Sequence, residues 1–161
     1  MNENMNNTEK DCNGDNINKS PLQLQIEARE AEWMNIIKKL NEKMRTLEDI
    51  RDLLPELYTN RQICLEHYNG ALRMLSKMQR DYKPKYAQKY NHYKMNSQIR
   101  YSSDTAINAQ IQSDMADDIM DIELMNNYAK YVQETVKTID GIIYGINNRL
   151  QLEKLIKNYD F

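Results

Sequence analysis

The sequence of residues 104–158, DTAINAQIQSDMADDIMDIELMNNYAKYVQETVKTIDGIIYGINNRLQLEKLIKN, decides the fold, because its apolar residues recur mostly at steps of three and four. Such steps place them on one face of an α-helix. The stripe comprises Ile107, Ile111, Met115, Ile119, Ile122, Met125, Val132, Val136, Ile139, Ile143, Ile146 and Leu150. Ser103 precedes it at a typical N-cap position. We therefore predict a long C-terminal helix or a helix pair over residues 104–158, with Asn147-Asn148 as its candidate break.

A similar stripe with heptad steps lies nearer the N-terminus. It is formed by Trp33, Ile37, Leu40, Met44 and Leu47. Upstream of it, Ser20, Pro21 and Gln23 form the residue pattern of a helix start. The predicted N-terminal helix spans residues 20–54. Pro55, together with a second helix-start pattern at residues 46–49, predicts a kink or a break between about residue 46 and residue 55.

A second helix is predicted over residues 56–82. The Tyr82-Lys83-Pro84 sequence is its expected end, since proline disfavours the helical conformation of the residue before it. Residues 83–103 are predicted to be a basic, tyrosine-rich connector, either a short helix or an extended segment that ends in a loop. Residues 1–19 contain seven Asn and no apolar period, so we predict a disordered tail there. The predicted helical domain accordingly spans residues 20–161.

Composition favours an all-α fold. The 161 residues include only 4 Gly and 3 Pro, so the turn signals that β and α/β folds need are scarce. We predict long helices that form a hairpin or a small bundle with coiled-coil-like seams. No apolar run approaches the length of a transmembrane helix and no secretory signal is present, so we expect no membrane partner. The two cysteines, Cys12 and Cys64, lack zinc-ligand spacing, and we expect a reduced, cytoplasmic setting.

Residue patterns for catalysis are missing from the sequence. It contains no phosphate-binding GxxxxGK(S/T) loop, no HExxH and no GxSxG. His67 and His92 are 25 positions apart, and Cys64 lies between two apolar neighbours. We interpret all three as packing or surface residues. We therefore expect a protein that is not an enzyme and that uses no cofactor and no metal.

Charge is distributed unevenly along the chain, although the formal net charge is only −2. Residues 73–101 carry eight Lys and Arg against one Asp, whereas residues 104–128 carry six acidic residues and no basic one. Among these acids, Asp114, Asp117, Asp118 and Asp121 share one face of a helix. Three interpretations stay open: a solvated surface near a helix start, an acidic surface that pairs with a basic partner or with the chain's own basic segment, and a divalent-cation site.

The sequence of residues 80–101, RDYKPKYAQKYNHYKMNSQIRY, alternates basic residues with tyrosines. This combination is typical of proteins that bind single-stranded nucleic acid, because cations neutralise phosphates and exposed aromatic rings stack on bases. The candidate DNA-binding residues are Arg80, Lys83, Lys85, Tyr86, Lys89, Tyr90, Tyr93, Lys94 and Arg100. The tyrosine steps of four, four and three also fit a packed helical stripe, with the lysines on the solvent-exposed face of the helix.

The layout of residues 46–158 resembles the UvsY-type recombination mediators of large tailed phages. The shared features are a helix over residues 57–78, the basic segment over residues 80–101, an acidic stretch over residues 104–121 that opens a long helix, and Asn147-Asn148-Arg149. Lys89 matches the second basic residue of the family's DNA-contacting pair, and Tyr93 matches the second tyrosine of its Tyr-Tyr pair. Ala87 and His92 occupy the first positions of those two pairs.

The resemblance implies a protein that binds single-stranded DNA and helps a RecA-like recombinase displace a single-strand-binding protein. It also implies a ring-like homo-oligomer, with the seam around Ile139, Ile143 and Ile146 as its interface, in the cytoplasm of a phage-infected host cell. The heptad steps and the tyrosine stripe leave one alternative open, a helical coiled-coil scaffolding or adaptor protein without nucleic acid binding. An RNA-binding regulator shares the charge argument.

Overall fold

The computed structural model describes residues 19–44, 47–96 and 100–159. These residues form four α-helices and a short π-helical segment, which confirms the predicted all-α fold. The elements are α1 (Pro21–Glu42), α2 (Leu47–Asn91), the π segment (His92–Asn96), α3 (Asp104–Asp114) and α4 (Ala116–Tyr159). The predicted tail lies outside the described residues, apart from Lys19, which pairs with Glu27.

Two predicted helix starts are confirmed by their capping geometry. The Ser20 hydroxyl accepts a hydrogen bond from the Gln23 backbone N–H at 3.1 Å, and Pro21 is the first helical residue of α1. The Ser103 hydroxyl accepts in the same way from the Ala106 N–H at 3.2 Å. Each cap satisfies one of the backbone donors that a helix start leaves without an intrahelical partner.

The predicted N-terminal helix over residues 20–54 is too long. The chain leaves the helix after Glu42, and α2 begins at Leu47, next to the second predicted start. Pro55 lies inside α2 and neither ends nor starts a helix. Leu53 and Leu57, on either side of the proline, are buried in the same core, and we attribute the continuity of the helix to this packing, which offsets the one lost hydrogen bond.

The predicted end of the second helix at Tyr82-Lys83-Pro84 is also wrong. Helix α2 continues through Pro84 to Asn91, and the π segment extends it to Asn96. Most of the predicted connector over residues 83–103 is therefore helical. The tyrosines of this segment pack on α3, and this tertiary contact outweighs the local preference of proline.

The C-terminal region is a helix pair, but its break lies at Met115. Met115 has φ −115° and ψ 21°, outside the helical range, and it separates α3 from α4. The candidate break at Asn147-Asn148 lies inside α4, which runs uninterrupted to Tyr159. By the usual rise of 1.5 Å per residue, α4 is about 66 Å long.

Helices α2 and α4 run antiparallel along most of their lengths and build the main core with α1. Arg61 of α2 pairs with Asp140 of α4, whereas Lys85, farther along α2, pairs with Asp118, nearer the start of α4. Helix α1 packs on both of them. Its Trp33 meets His67 edge to face at 5.6 Å, and its Glu30 carbonyl accepts a hydrogen bond from Tyr131 at 3.1 Å.

The seam that the resemblance assigns to an oligomer interface lies inside this core. Ile139, Ile143 and Ile146 are buried within the single chain, so they are not free to contact a second copy. Cys64 is also fully buried there, as expected of a small apolar residue, and burial raises the pKa of its thiol to about 11. Within the three described ranges, no helix is both long and apolar enough to cross a membrane.

Candidate nucleic-acid interface

Four tyrosines form a row along the end of α2 and the π segment. This tyrosine row consists of Tyr82, Tyr86, Tyr90 and Tyr93. Their steps of four, four and three bring them to one side of the helix. Neighbouring rings lie close together: the ring centroids of Tyr82 and Tyr86 are 6.1 Å apart, and those of Tyr86 and Tyr90 are 6.4 Å apart.

The tyrosine row is half-buried because α3 lies on it. Ile107, Ile111 and Met115 form a second hydrophobic cluster, separate from the main core, and the tyrosines pack around it together with Tyr101. The Tyr86 hydroxyl donates to the Asn108 side-chain oxygen at 2.7 Å. The packing interpretation of the stripe therefore holds for the side of the row that faces α3.

Beside the tyrosine row, three lysines of the predicted site pair with acidic residues of α3 and of the start of α4. Lys85 lies 2.6 Å from Asp118, Lys89 lies 3.2 Å from Asp114, and Lys94 lies 3.5 Å from Asp104. Lys94 also donates to the Tyr90 hydroxyl at 3.0 Å. Of the three interpretations of the acidic face, these contacts favour pairing with the chain's own basic segment. Among the described residues, no three His, Cys, Asp or Glu side chains group together as a metal site requires.

Asp114 is the centre of this polar network. Its carboxylate accepts hydrogen bonds from the Tyr93 hydroxyl, from the Gln110 amide at 2.9 Å and from the Lys89 ammonium at 3.2 Å. Together these donors hold the pKa of Asp114 below its usual range. The Asp114 carboxylate in turn raises the pKa of Tyr93 to about 12, because the hydrogen bond requires the protonated hydroxyl.

Another set of cations on α2 is not engaged by α3. We call it the outer basic face: Arg73, Lys77, Arg80 and Lys83 are all exposed. Arg80 pairs only with its neighbour Asp81 at 3.3 Å, and the other three make no ion pair with the described residues. A shallow groove between Arg73, Lys77 and Arg80 is lined by Ser76 and Leu72 as well.

The structure divides the predicted site residues into three groups. Six of them meet α3 or the start of α4, namely Lys85, Tyr86, Lys89, Tyr90, Tyr93 and Lys94. Arg80 and Lys83 belong to the outer basic face, and Arg100 is an exposed residue of the loop before α3. Arg73 and Lys77, which are not among the predicted site residues, are exposed on the same helix and extend the outer basic face. Their steps of four and three before Arg80 are the helical signal that places them beside it.

No protein-family model, curated protein or solved structure matches this chain.

Proposed function

We propose that the protein binds single-stranded DNA and acts as a recombination mediator, which helps load a RecA-like recombinase onto DNA coated by single-strand-binding protein. One observation carries the proposal: a row of closely spaced tyrosine rings on one helix, with lysines beside it. Lys85 and Lys89 lie on one side of the tyrosine row and Lys94 contacts Tyr90.

The two residue types supply the two parts of single-strand recognition. Lysine and arginine release counterions from the phosphates, which makes binding depend on salt. Tyrosine rings stack on bases at about 1–3 kcal/mol per base without reading the sequence, and a duplex does not offer its base faces. The outer basic face adds exposed charge that is available for phosphate contacts.

The mediator step also needs protein contacts, and the exposed apolar end of α4 is a surface for them. Tyr144, Leu152, Leu155 and Ile156 are between 52% and 70% exposed and lie on one side of this helix. Clustered exposed apolar residues of this kind mark protein interaction sites. These exposed residues support self-association of the chain through the end of α4. The isoleucine seam, which the resemblance implies as the oligomer interface, is buried within the chain.

The proposed DNA contact is tested by Arg80→Ala with Lys83→Ala. Among the described residues, neither side chain makes a hydrogen bond or an ion pair with α3, so the double variant should stay folded while losing two cations. We expect weaker binding of a labelled single-stranded oligonucleotide and a salt slope smaller by about 1.4, at roughly 0.7 per lost contact. The matched control is Lys38→Ala with Lys39→Ala, which removes two exposed charges from α1. Equal affinities of the two double variants would argue against α2 as the DNA-binding element.

The mediator step has its own test. A RecA-like recombinase is added to single-stranded DNA precoated with single-strand-binding protein, and filament assembly is timed with and without the chain. We expect faster assembly with it. An unchanged rate would limit the function to DNA binding.

A helical scaffolding or adaptor protein without nucleic acid binding is the second candidate. It is favoured by the packing of the tyrosine row against Ile107, Ile111 and Met115. This packing alone would account for the tyrosines, without a role in DNA binding. The two functions differ in one readout, because a scaffold would not bind single-stranded DNA at moderate salt.

A further inference from the structure

We propose that α3 is a detachable cover that competes with single-stranded DNA for the tyrosine row and its lysines. The inference rests on the proposed function, and it concerns the regulation of the same site. In this arrangement Asp104 and Asp114 of α3, together with Asp118 in the first turn of α4, hold carboxylates where phosphates would bind. The apolar side of α3 packs against the tyrosine rings on which bases would stack.

The chemistry of the contact is that of a polyanion on a basic surface. Each of the three lysines beside the row holds one carboxylate, at 2.6 Å, 3.2 Å and 3.5 Å. Carboxylate and phosphate oxygens accept the same charge-assisted hydrogen bonds from lysine. A DNA strand is therefore an alternative ligand for Lys89 and Lys94, which α3 holds, and for Lys85, which the first turn of α4 holds.

The cover is built as a small unit that can detach alone. Helix α3 has 11 residues, and its buried residues belong to the second cluster and not to the main core. The non-helical Met115 separates it from α4, and the non-helical residues 100–103 precede it. Its ion pairs with Lys89 and Lys94 lie at the surface, where each pair is individually weak. Such short, thinly buried elements belong to the parts of a protein that open first.

Competition has a consequence for affinity. If the tyrosine row is free only in the open form, the apparent affinity is the intrinsic affinity reduced by the open fraction. Any change that weakens α3 without touching α2 should then tighten DNA binding. Loss of acidic residues elsewhere on the same helices should not produce this effect beyond the general change in charge.

The chain offers a closely matched pair of variants for this test. Asp114→Asn with Asp118→Asn removes the two carboxylates that hold Lys89 and Lys85, one at the end of α3 and one in the first turn of α4. Asp117→Asn with Asp121→Asn removes the same charge from the same region, and neither of these carboxylates has a partner among the described residues. We expect the first variant to bind a single-stranded oligothymidine more tightly than the control variant, by about fivefold, which is the lower end of typical energetic couplings.

The outcomes separate the cover from the proposed function. Tighter binding by the first variant, or binding by that variant alone, supports the cover. Equal binding by the two variants overturns the cover and leaves DNA binding intact. No binding by any form at low salt overturns the proposed function, and the cover is then overturned with it as a regulator of DNA access.

Hydrogen exchange gives a second readout with the unmodified chain. When the oligothymidine saturates the protein, the amides of α3 should lose protection while those of α4 near Val132 keep it. Retained protection of α3 in the saturated complex would overturn the proposal.

Discussion

At the scale of single residues, Asp114 explains most of the geometry around the tyrosine row. It accepts from Tyr93, Gln110 and Lys89, so one carboxylate links α3 to both residue types of the candidate site. The ionised form stabilises the contact because the pKa of Asp114 is lower in the folded chain than in the unfolded one. This stabilisation is present above the ordinary carboxyl pKa and is lost as the pH falls through the folded value.

The same bond predicts an unusual tyrosine. The pKa of Tyr93 is raised to about 12, so its hydroxyl stays protonated until the pH rises through that value. Asp114→Asn should return the pKa of Tyr93 toward the ordinary value of 10, whereas Asp117→Asn should leave it raised. Titration of the Tyr93 ring carbon by NMR measures both. A Tyr93 pKa that Asp114→Asn does not lower would show that this hydrogen bond is absent in solution.

At the scale of elements, the sequence predicted helical faces well and helix ends poorly. Ser20 and Ser103 were readable because an N-cap is a local signal. The helix break predicted at Pro55 and the helix end predicted at Pro84 were wrong, because the effect of a proline on a helix depends on packing with residues distant in sequence. Met115 carries no local break signal, since it continues the apolar stripe in sequence and is only 2% exposed.

The candidate site shows the same division between local and distant information. The clustering of lysines and tyrosines on one helix follows from spacing alone. That α3 folds back onto them does not, because the steps of an apolar stripe do not identify its partner. The opposite charges of residues 73–101 and 104–128 were the available hint, and the pairs of Lys85, Lys89 and Lys94 now account for it.

Helix α3 should unfold separately from the rest of the chain. Ile111 is fully buried in the second cluster and Ile139 in the main core, and truncating either residue to Ala removes about 2–5 kcal/mol. Ile111→Ala should speed hydrogen exchange in α3 and leave the fluorescence melting curve of Trp33, the single tryptophan, unchanged. Ile139→Ala should lower that melting temperature. Equal shifts of the Trp33 curve in both variants would mean that α3 and the bundle unfold together.

At the scale of the whole molecule, the chain has two ends with different chemistry. One end carries the tyrosine row, its lysines and α3. The other carries the last turns of α4, where apolar residues move from the buried to the exposed side of the helix. Under the proposed function, one end would contact DNA and the other would contact protein.

The exposed end of α4 should drive self-association. Leu152→Ser with Ile156→Ser removes two apolar side chains that are 60% and 63% exposed, so it should reduce the oligomer without unfolding the monomer. Met34→Ser with Met120→Ser is the control, because these residues are also exposed but lie elsewhere. Sedimentation velocity gives the mass of each form. An oligomer that survives the first double variant intact would place the interface on another surface.

The most direct test of the whole account is the affinity of the unmodified chain for a labelled single-stranded oligonucleotide, followed by fluorescence anisotropy across salt concentrations. Matched duplex DNA and RNA serve as competitors. The account predicts binding that weakens as the salt concentration rises. Because of the tyrosine rings, single strands should be preferred to duplex DNA. RNA of the same sequence should not displace the labelled DNA more effectively than unlabelled single-stranded DNA does. Absence of binding even at low salt would contradict it and would identify the tyrosine row as core alone.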